Sequence, residues 1–361
     1  MADLFCSLSF RCGISAPNRV ALAPLTNTQS HDDGALGDDE LRWLVRRARG
    51  GWGLISTCAA HVSPEAKGFV GQLGLFSDAH DAGLRQLASA LVAEKTVPIV
   101  QLYHGGARSP FALTGARPVS AVAGEGEGDD VARAMTEREI LACVDHFASA
   151  AERAQRAGFV GAEVHGAHGY LLCQFLSRNN TRADGWGGSL EGRARIVREV
   201  IRAVRSRCGA GFLLGVRLSP EDFGYAAGMD LDESVALARW FAEDGADFVH
   251  LSLWDYNKPS IKRPSEDIIA LFRAALDPAV RLLVAGRIGT VADANAVLAR
   301  GADMVSIGRA AILEPDWPTR ARDANWSPEA GPLSRDELIE RDVSARFVEY
   351  LRRFKTIVRA E

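Results

Sequence analysis

Eight short β-rich apolar runs, at residues 20–24, 53–57, 98–103, 160–165, 212–218, 248–253, 282–285 and 304–307, alternate with longer stretches of helical periodicity. The helical stretches lie near 38–50, 78–95, 137–157, 190–207, 231–244, 265–276 and 291–300. A strand followed by a helix and then another strand makes a parallel pair, because antiparallel neighbours are joined by short hairpins. Three of the helical stretches stop alike, at Arg156-Ala157-Gly158, at Asp244-Gly245-Ala246-Asp247 and at Arg300-Gly301-Ala302-Asp303, each followed at once by an apolar run. Glycine just past a last turn takes the left-handed conformation that ends a helix. Eight alternations of this kind fit an α/β fold of the (β/α)8 or TIM barrel type better than an open doubly wound sheet. With 47% hydrophobic residues, 361 residues supply one sizeable core, so 1–361 is expected to form a single barrel domain.

Two segments fall outside the repeat. Residues 5–18 are expected to form a short N-terminal hairpin that closes the barrel floor, with its turn at Cys12-Gly13. Residues 105–135, after the third strand, contain Gly124-Glu125-Gly126-Glu127-Gly128-Asp129-Asp130, too polar and glycine-rich for a core. An insertion on that loop is read as a lid over the catalytic face, with a solvated loop of no role as the alternative. The glycine run is no dinucleotide fingerprint, since no strand precedes it and no helix opens at its end.

Charge and cysteine content exclude several function classes. The formal net charge is -4 and the basic residues are scattered, which argues against a nucleic-acid partner. The N-terminus lacks the pattern of a secretory signal and no apolar run is long enough for a membrane span, so a cytoplasmic protein with no membrane partner is expected. The six cysteines contain no C-x-x-C pair and are read as reduced thiols. The sequons at Asn179 and Asn325 carry no meaning in that compartment.

The richest stretch is Glu163-Val164-His165-Gly166-Ala167-His168-Gly169-Tyr170, at the end of the fourth strand. Barrel enzymes place catalytic side chains at strand ends. Imidazole N–H groups can hold a carbonyl oxygen and its developing negative charge, and a phenol is a suitable proton donor to an enolate-like carbon. His165, His168 and Tyr170 are therefore candidate catalytic and substrate-binding residues. A zinc site using Glu163 is the alternative; it needs a further ligand, and no metal is expected.

Other polar residues lie where an anionic ligand would need them. Gln101, late in the third strand, offers both a donor and an acceptor. Leu213, Gly215 and Arg217 share one strand face by period-two alternation, and an arginine inside a barrel needs an anionic partner, either a buried carboxylate or a ligand. Strands seven and eight end in Gly286-Arg287 and Gly308-Arg309, the phosphate position of many barrels, although both arginines could instead pair with surface acids. Tyr103, Trp254 and Tyr256 follow strands three and six and could line a substrate pocket or simply pack.

Taken in order, Asn18 to Thr26, Gln101 to Arg108, His165 to Leu172, Phe175 to Arg182, Gly187 to Arg193, Gly215 to Arg217 and Ile307 to Arg309 resemble the motifs of the old yellow enzyme family, FMN-dependent NAD(P)H-linked ene-reductases. The departures are Asn27 after Thr26, where many members have arginine, and the segments around Gly185-Trp186 and Gly192; these touch packing more than chemistry. The resemblance implies non-covalent FMN and NAD(P)H as hydride donor. It implies that Pro24, Leu25 and Thr26 lie along the flavin, with the Thr26 hydroxyl near its C4 carbonyl. Ala59 would meet the ring edge after strand two, and Gln101 its pyrimidine edge. Arg217 would face the N1/C2 carbonyl edge, His165 would border ring and substrate, and Gly286, Arg287, Gly308 and Arg309 would clamp the phosphate.

With no Rossmann unit in the chain, nicotinamide and substrate would use one open flavin face in turn, giving ping-pong reduction of an activated, enone-like alkene. His165 and His168 would hold the carbonyl oxygen and Tyr170 would protonate the α carbon, with Tyr103 and Trp254 lining the pocket. A homo-oligomer is compatible with the resemblance. Rival readings are the same FMN barrel acting as isomerase, oxidase or demethylase, a metal-dependent barrel lyase, and an idle flavin store.

Overall fold

The computed structural model describes residues 3–124, 127–222 and 224–360. Eight parallel strands close into a barrel in chain order: β1 Val20–Leu22, β2 Leu54–His61, β3 Val97–Tyr103, β4 Gly161–Gly166, β5 Leu213–Leu218, β6 Phe248–Ser252, β7 Arg281–Ala285 and β8 Met304–Ile307. Between them run α1 Asp38–Arg49, α2 Asp81–Ala93, α3 Glu137–Ala157, α4 Leu190–Cys208, α5 Leu231–Glu243, α6 Ile268–Ala275 and α7 Val291–Ala299. No helix among the described residues is long and apolar enough to cross a membrane.

The three glycine stops occur as expected, with φ of +102° at Gly158, +123° at Gly245 and +107° at Gly301. The aspartate that ends two of them ties the barrel floor together. Asp247 accepts from the Leu214 amide and pairs with Arg205, while Asp303 accepts from the Leu282 amide and pairs with Arg273. In each case a carboxylate satisfies an amide near the start of the preceding strand, which would otherwise be buried without a partner.

Inside the barrel, side-chain polarity changes with height. The lowest layer is apolar: Ala21, Leu54, Ile99, Leu213, Phe248, Leu283 and Met304 pack with Leu8 and Phe10 of the N-terminal hairpin, whose strands Leu8–Ser9 and Ser15–Ala16 pair antiparallel. The hairpin therefore plugs the floor, and Gly13 makes its turn at φ +94°. Above this layer the inward positions become Gln101, Glu163 and His250, and then His165, Arg217 and Ser252. A sealed floor under a polar upper interior leaves one end of the barrel for chemistry.

Strand β2 runs to His61, four residues past the expected end at 57, and a register shift between Ser56 and Ala59 interrupts its pairing with β3. Ala59 thus lies within the strand rather than after it. The 105–135 insertion carries a turn at Gly106–Arg108, a short helix Phe111–Thr114 and a two-stranded ribbon, Val119–Ser120 beside Arg133–Ala134. Arg182 of the loop after β4 donates to the carbonyls of Ala121 and Met135 and so fastens the ribbon to that loop. Of the glycine run expected there, Glu125 and Gly126 lie outside the described residues.

Candidate active site

A cavity of about 670 Å³ opens at the strand C-termini, lined by Ala23, Pro24, Leu25, Arg217, Ser252 and Trp254 among others. It continues past Gly286 and Arg287 to Gly308 and Arg309. Its glycines keep it narrow: a Cβ on Gly286 would come within 2.8 Å of the Leu253 Cβ, and one on Gly308 within 3.3 Å of Leu25 Cδ2. Thr26 is half-buried and its hydroxyl has no hydrogen-bond partner among the described residues.

The two histidines and Tyr170 converge as expected. His165 and His168 stand nearly perpendicular with ring centroids 5.0 Å apart, and Tyr170 lies 5.1 Å from His165. The Ala167 amide donates to His165 Nδ1 at 3.3 Å, so the proton of the neutral ring sits on Nε2. His168 holds a left-handed φ of +61°. Its amide donates to Ser219 Oγ at 3.1 Å, and its Nε2 lies 2.6 Å from Ser252 Oγ. Burial pushes both imidazoles well below the usual histidine range, the neighbouring cations adding to it, Arg217 and Arg108 among them. Both rings are therefore neutral near pH 7. Burial raises the Tyr170 phenol, opposed first by the Arg108 guanidinium, so Tyr170 keeps its proton.

Ser252 links His168 to Arg217. Arg217 Nη2 donates to Ser252 Oγ at 3.1 Å, and arginine can only donate. Among the described residues the acceptor for the Ser252 proton is His168 Nε2, which leaves the His168 hydrogen on Nδ1. Arg217 itself is buried with no carboxylate within 4 Å among the described residues, and its Nε has no partner. Burial pushes its guanidinium down, while Glu163 and Tyr170 hold it up. The buried-salt-bridge alternative thus fails, and the cation faces the cavity ready for an anionic ligand edge.

Beneath Arg217 lies a relay that the strand pattern alone did not single out. Gln101 Nε2 donates to Glu163 Oε1 at 2.6 Å, and His250 Nδ1 meets Glu163 Oε2 at 2.6 Å. Glu163 and His250 sit on either side of β5, where Gly215 carries no side chain. Burial raises the Glu163 carboxyl, but His250, Arg217 and Gln101 more than offset this and hold it below the usual carboxylate range. Burial lowers His250, against the pull of Glu163. Glu163 is thereby occupied and does not join His165 and His168 as a metal ligand would. Among the described residues no group of three or more His, Cys, Asp or Glu is arranged to hold a metal ion. Period-two alternation along 248–252 was the available signal, since it puts Phe248, His250 and Ser252 on one face.

The remaining candidates divide. Trp254 is 63% exposed at the cavity mouth. Tyr103 is fully buried and packs edge-on against Tyr170 at 4.5 Å, so it supports that ring from behind. Tyr256 donates to Asp293 at 2.7 Å and belongs to the packing around β7. The expected free amide of Gln101 is half committed, to Glu163, and the Ala59 carbonyl accepts from Gln72 at 2.6 Å. Arg287 is 72% exposed and lies 3.3 Å from Asp255, a solvent-screened pair worth at most about 1 kcal/mol. Arg309 lies exposed over the Phe354 ring, with no carboxylate within 4 Å among the described residues.

These residues fit a flavin mononucleotide on two grounds: an orphaned buried guanidinium in the cavity wall, and two glycines there, each followed by an arginine. Residues 4–325 match the model of the NADH:flavin oxidoreductase / NADH oxidase family. The chain is 35% identical, over 89% of its length and 88% of the relative's, to the probable NADH-dependent flavin oxidoreductase YqiG of Bacillus subtilis (strain 168). It is 31% identical, over 94% of its length, to the NADH:acrylate oxidoreductase of Vibrio harveyi, but spans only 35% of that longer protein. The solved structure of morphinone reductase in complex with tetrahydroNAD superposes with a TM-score of 0.80 at 31% identity, covering 94% of each chain. Barrel, orphaned cation and sequence likeness agree: the chain belongs to the NADH:flavin oxidoreductase / NADH oxidase family, the old yellow enzymes, and is an FMN-dependent oxidoreductase that draws on NADH or NADPH.

Proposed function

We propose that this enzyme reduces the C=C bond of alkenes activated by a carbonyl or a similar electron-withdrawing group. The observation that carries the reading is the meeting of two neutral imidazoles with a protonated phenol at the end of β4, opposite a buried arginine. FMN held beside Arg217 and the two glycine-arginine pairs would supply the hydride chemistry between NAD(P)H and the β carbon of the alkene. His165 Nε2–H and His168 Nδ1–H are the donors for the substrate carbonyl oxygen, and they withdraw the charge that grows on it. Neutral imidazoles suit this role, since they donate without giving up a proton. Tyr170 delivers the proton to the α carbon, its acidity kept from falling too low by the nearby Arg108 charge.

The same proposal assigns the cofactor contacts. Pro24, Leu25, Thr26, Ala59, Gln101 and His165 would border the ring, and Arg217 would neutralise its electron-rich edge. Gly286, Arg287, Gly308 and Arg309 would hold the phosphate, as the cavity's extension toward them supports. Trp254 borders the substrate, and Tyr103 positions Tyr170 by packing against its ring.

The test is a two-step anaerobic experiment on FMN-loaded protein. NAD(P)H bleaches the flavin, and 2-cyclohexenone then restores its colour. In Tyr170→Phe the bleaching proceeds as in the wild type, while recolouring slows by about 10²- to 10⁴-fold. An unchanged recolouring rate removes Tyr170 from the donor role; failure of the enone to recolour the wild type removes alkene reduction itself.

A further inference from the structure

Arg108, which ends the turn after β3, stands over the ring of Tyr170. Its guanidinium lies between two tyrosine rings, 4.4 Å from the centroid of Tyr170 and 4.1 Å from that of Tyr225. Its Nη1 donates to the His168 carbonyl at 2.8 Å. These contacts fix the plane of the fork and use one of its five N–H groups. No carboxylate lies within 4 Å of it among the described residues, although most arginines of this chain have one. The two rings attract the cation by about 0.5–1 kcal/mol each, but they accept none of its remaining N–H groups, which stay free for an anion. Tyr225 beside it is 72% exposed, and Trp254, 63% exposed, lies near the same loop, since a Cβ on Gly224 would lie 3.7 Å from its ring.

We infer that Arg108 is a specificity residue that binds a carboxylate carried by the substrate, so that the preferred alkenes are planar unsaturated ketones or related acceptors bearing a carboxylate beside the reacting bond. This rests on the proposed alkene reduction. The fork is anchored to Tyr170, which would face the α carbon, and to His168, which would face the carbonyl, so a bound carboxylate lies within one ring's width of the reacting atoms. Arginine suits the role because its fork matches a carboxylate bidentately. The exposed aromatic rim offers a flat apolar group a surface to stack on.

The experiment compares 3-benzoylacrylate with its methyl ester in the FMN-loaded wild type, Arg108→Met and Arg108→Lys. The wild type prefers the acid. In Arg108→Met the acid-to-ester ratio of kcat/KM falls by about 10- to 100-fold, the loss of a charge-assisted hydrogen-bonded pair, and Arg108→Lys recovers part of it. The saturated acid and its ester, titrated against the flavin absorbance, show the same ratio in Kd without any turnover. If alkene reduction itself is wrong, the ester is not reduced, yet this titration still reports on Arg108. A ratio unchanged by Arg108→Met makes the residue structural and overturns the inference. So does a loss confined to NADH and absent for N-methyl-dihydronicotinamide, which assigns the fork to the dinucleotide phosphates.

Discussion

Replacing Glu163 by alanine removes the acceptor of two buried donors at once. Its oxygens lie 2.6 Å from Gln101 Nε2 and 2.6 Å from His250 Nδ1, and all three side chains are at most 2% exposed. Alanine leaves both donors unpaired and deprives Arg217 of the carboxylate that holds its charge. Leaving two buried donors unsatisfied and a buried guanidinium without its Coulombic support costs about 3–5 kcal/mol. For 361 residues the unfolding entropy is about 0.75 kcal/mol/K, so the thermal midpoint should fall by about 4–7 °C. Glu163→Gln keeps the shape and one acceptor, and leaves a single donor facing an amide N–H₂. That costs about 1–3 kcal/mol, or about 1–4 °C.

The pH dependence has a definite sign. Glu163 is depressed in the folded state, so its contribution is full above the unfolded value near 4.3 and is lost as pH falls through the lower folded value. The gap between wild type and Glu163→Gln should therefore narrow as the pH falls below about 4. The assay is thermal unfolding followed by near-UV circular dichroism, on FMN-free and FMN-loaded protein. If Glu163→Ala and Glu163→Gln match within about 1 °C, Glu163 is not the buried ionised acceptor of both donors and the reasoning fails.

Other outcomes follow from the same geometry. Ser252→Ala removes the hydroxyl between Arg217 and His168 and should weaken binding of a carbonyl product analogue by about 5- to 10-fold, with Ser252→Thr close to wild type; flavin absorbance titration reads both. Because burial holds His165 and His168 neutral, the kcat/KM for a neutral enone should be flat from about pH 6 to 8, and an inflection near 6.5 would show a charged imidazole. Arg309→Ala should loosen FMN by about 10- to 100-fold in a fluorescence titration, whereas an effect below twofold excludes it from the phosphate clamp. Gly215→Ala places a Cβ 2.0 Å from Phe248 Cζ in the barrel interior, an overpacking cost of about 1–3 kcal/mol that should lower the thermal midpoint by about 1–4 °C.

Local order along the chain was enough for the barrel and for the strand-end chemistry. The alternation of apolar runs with helical periodicity, the stops at Gly158, Gly245 and Gly301, and the hairpin turn at Gly13 are each written in a few consecutive residues. His165, His168 and Tyr170 could be found for the same reason, since one strand end presents them within six positions. Barrel closure decided the rest. His250 meets Glu163 across 87 positions, Arg108 reaches the His168 carbonyl across 60, and Ser252 reaches His168 across 84. Ala59 moved into its strand through a register shift, and Tyr256 turned away to Asp293, neither of which leaves a local mark. Periodicity tells which face of a strand a side chain occupies; which partner it meets there depends on the tilt and register of neighbours far along the chain, and these are set only when the sheet closes.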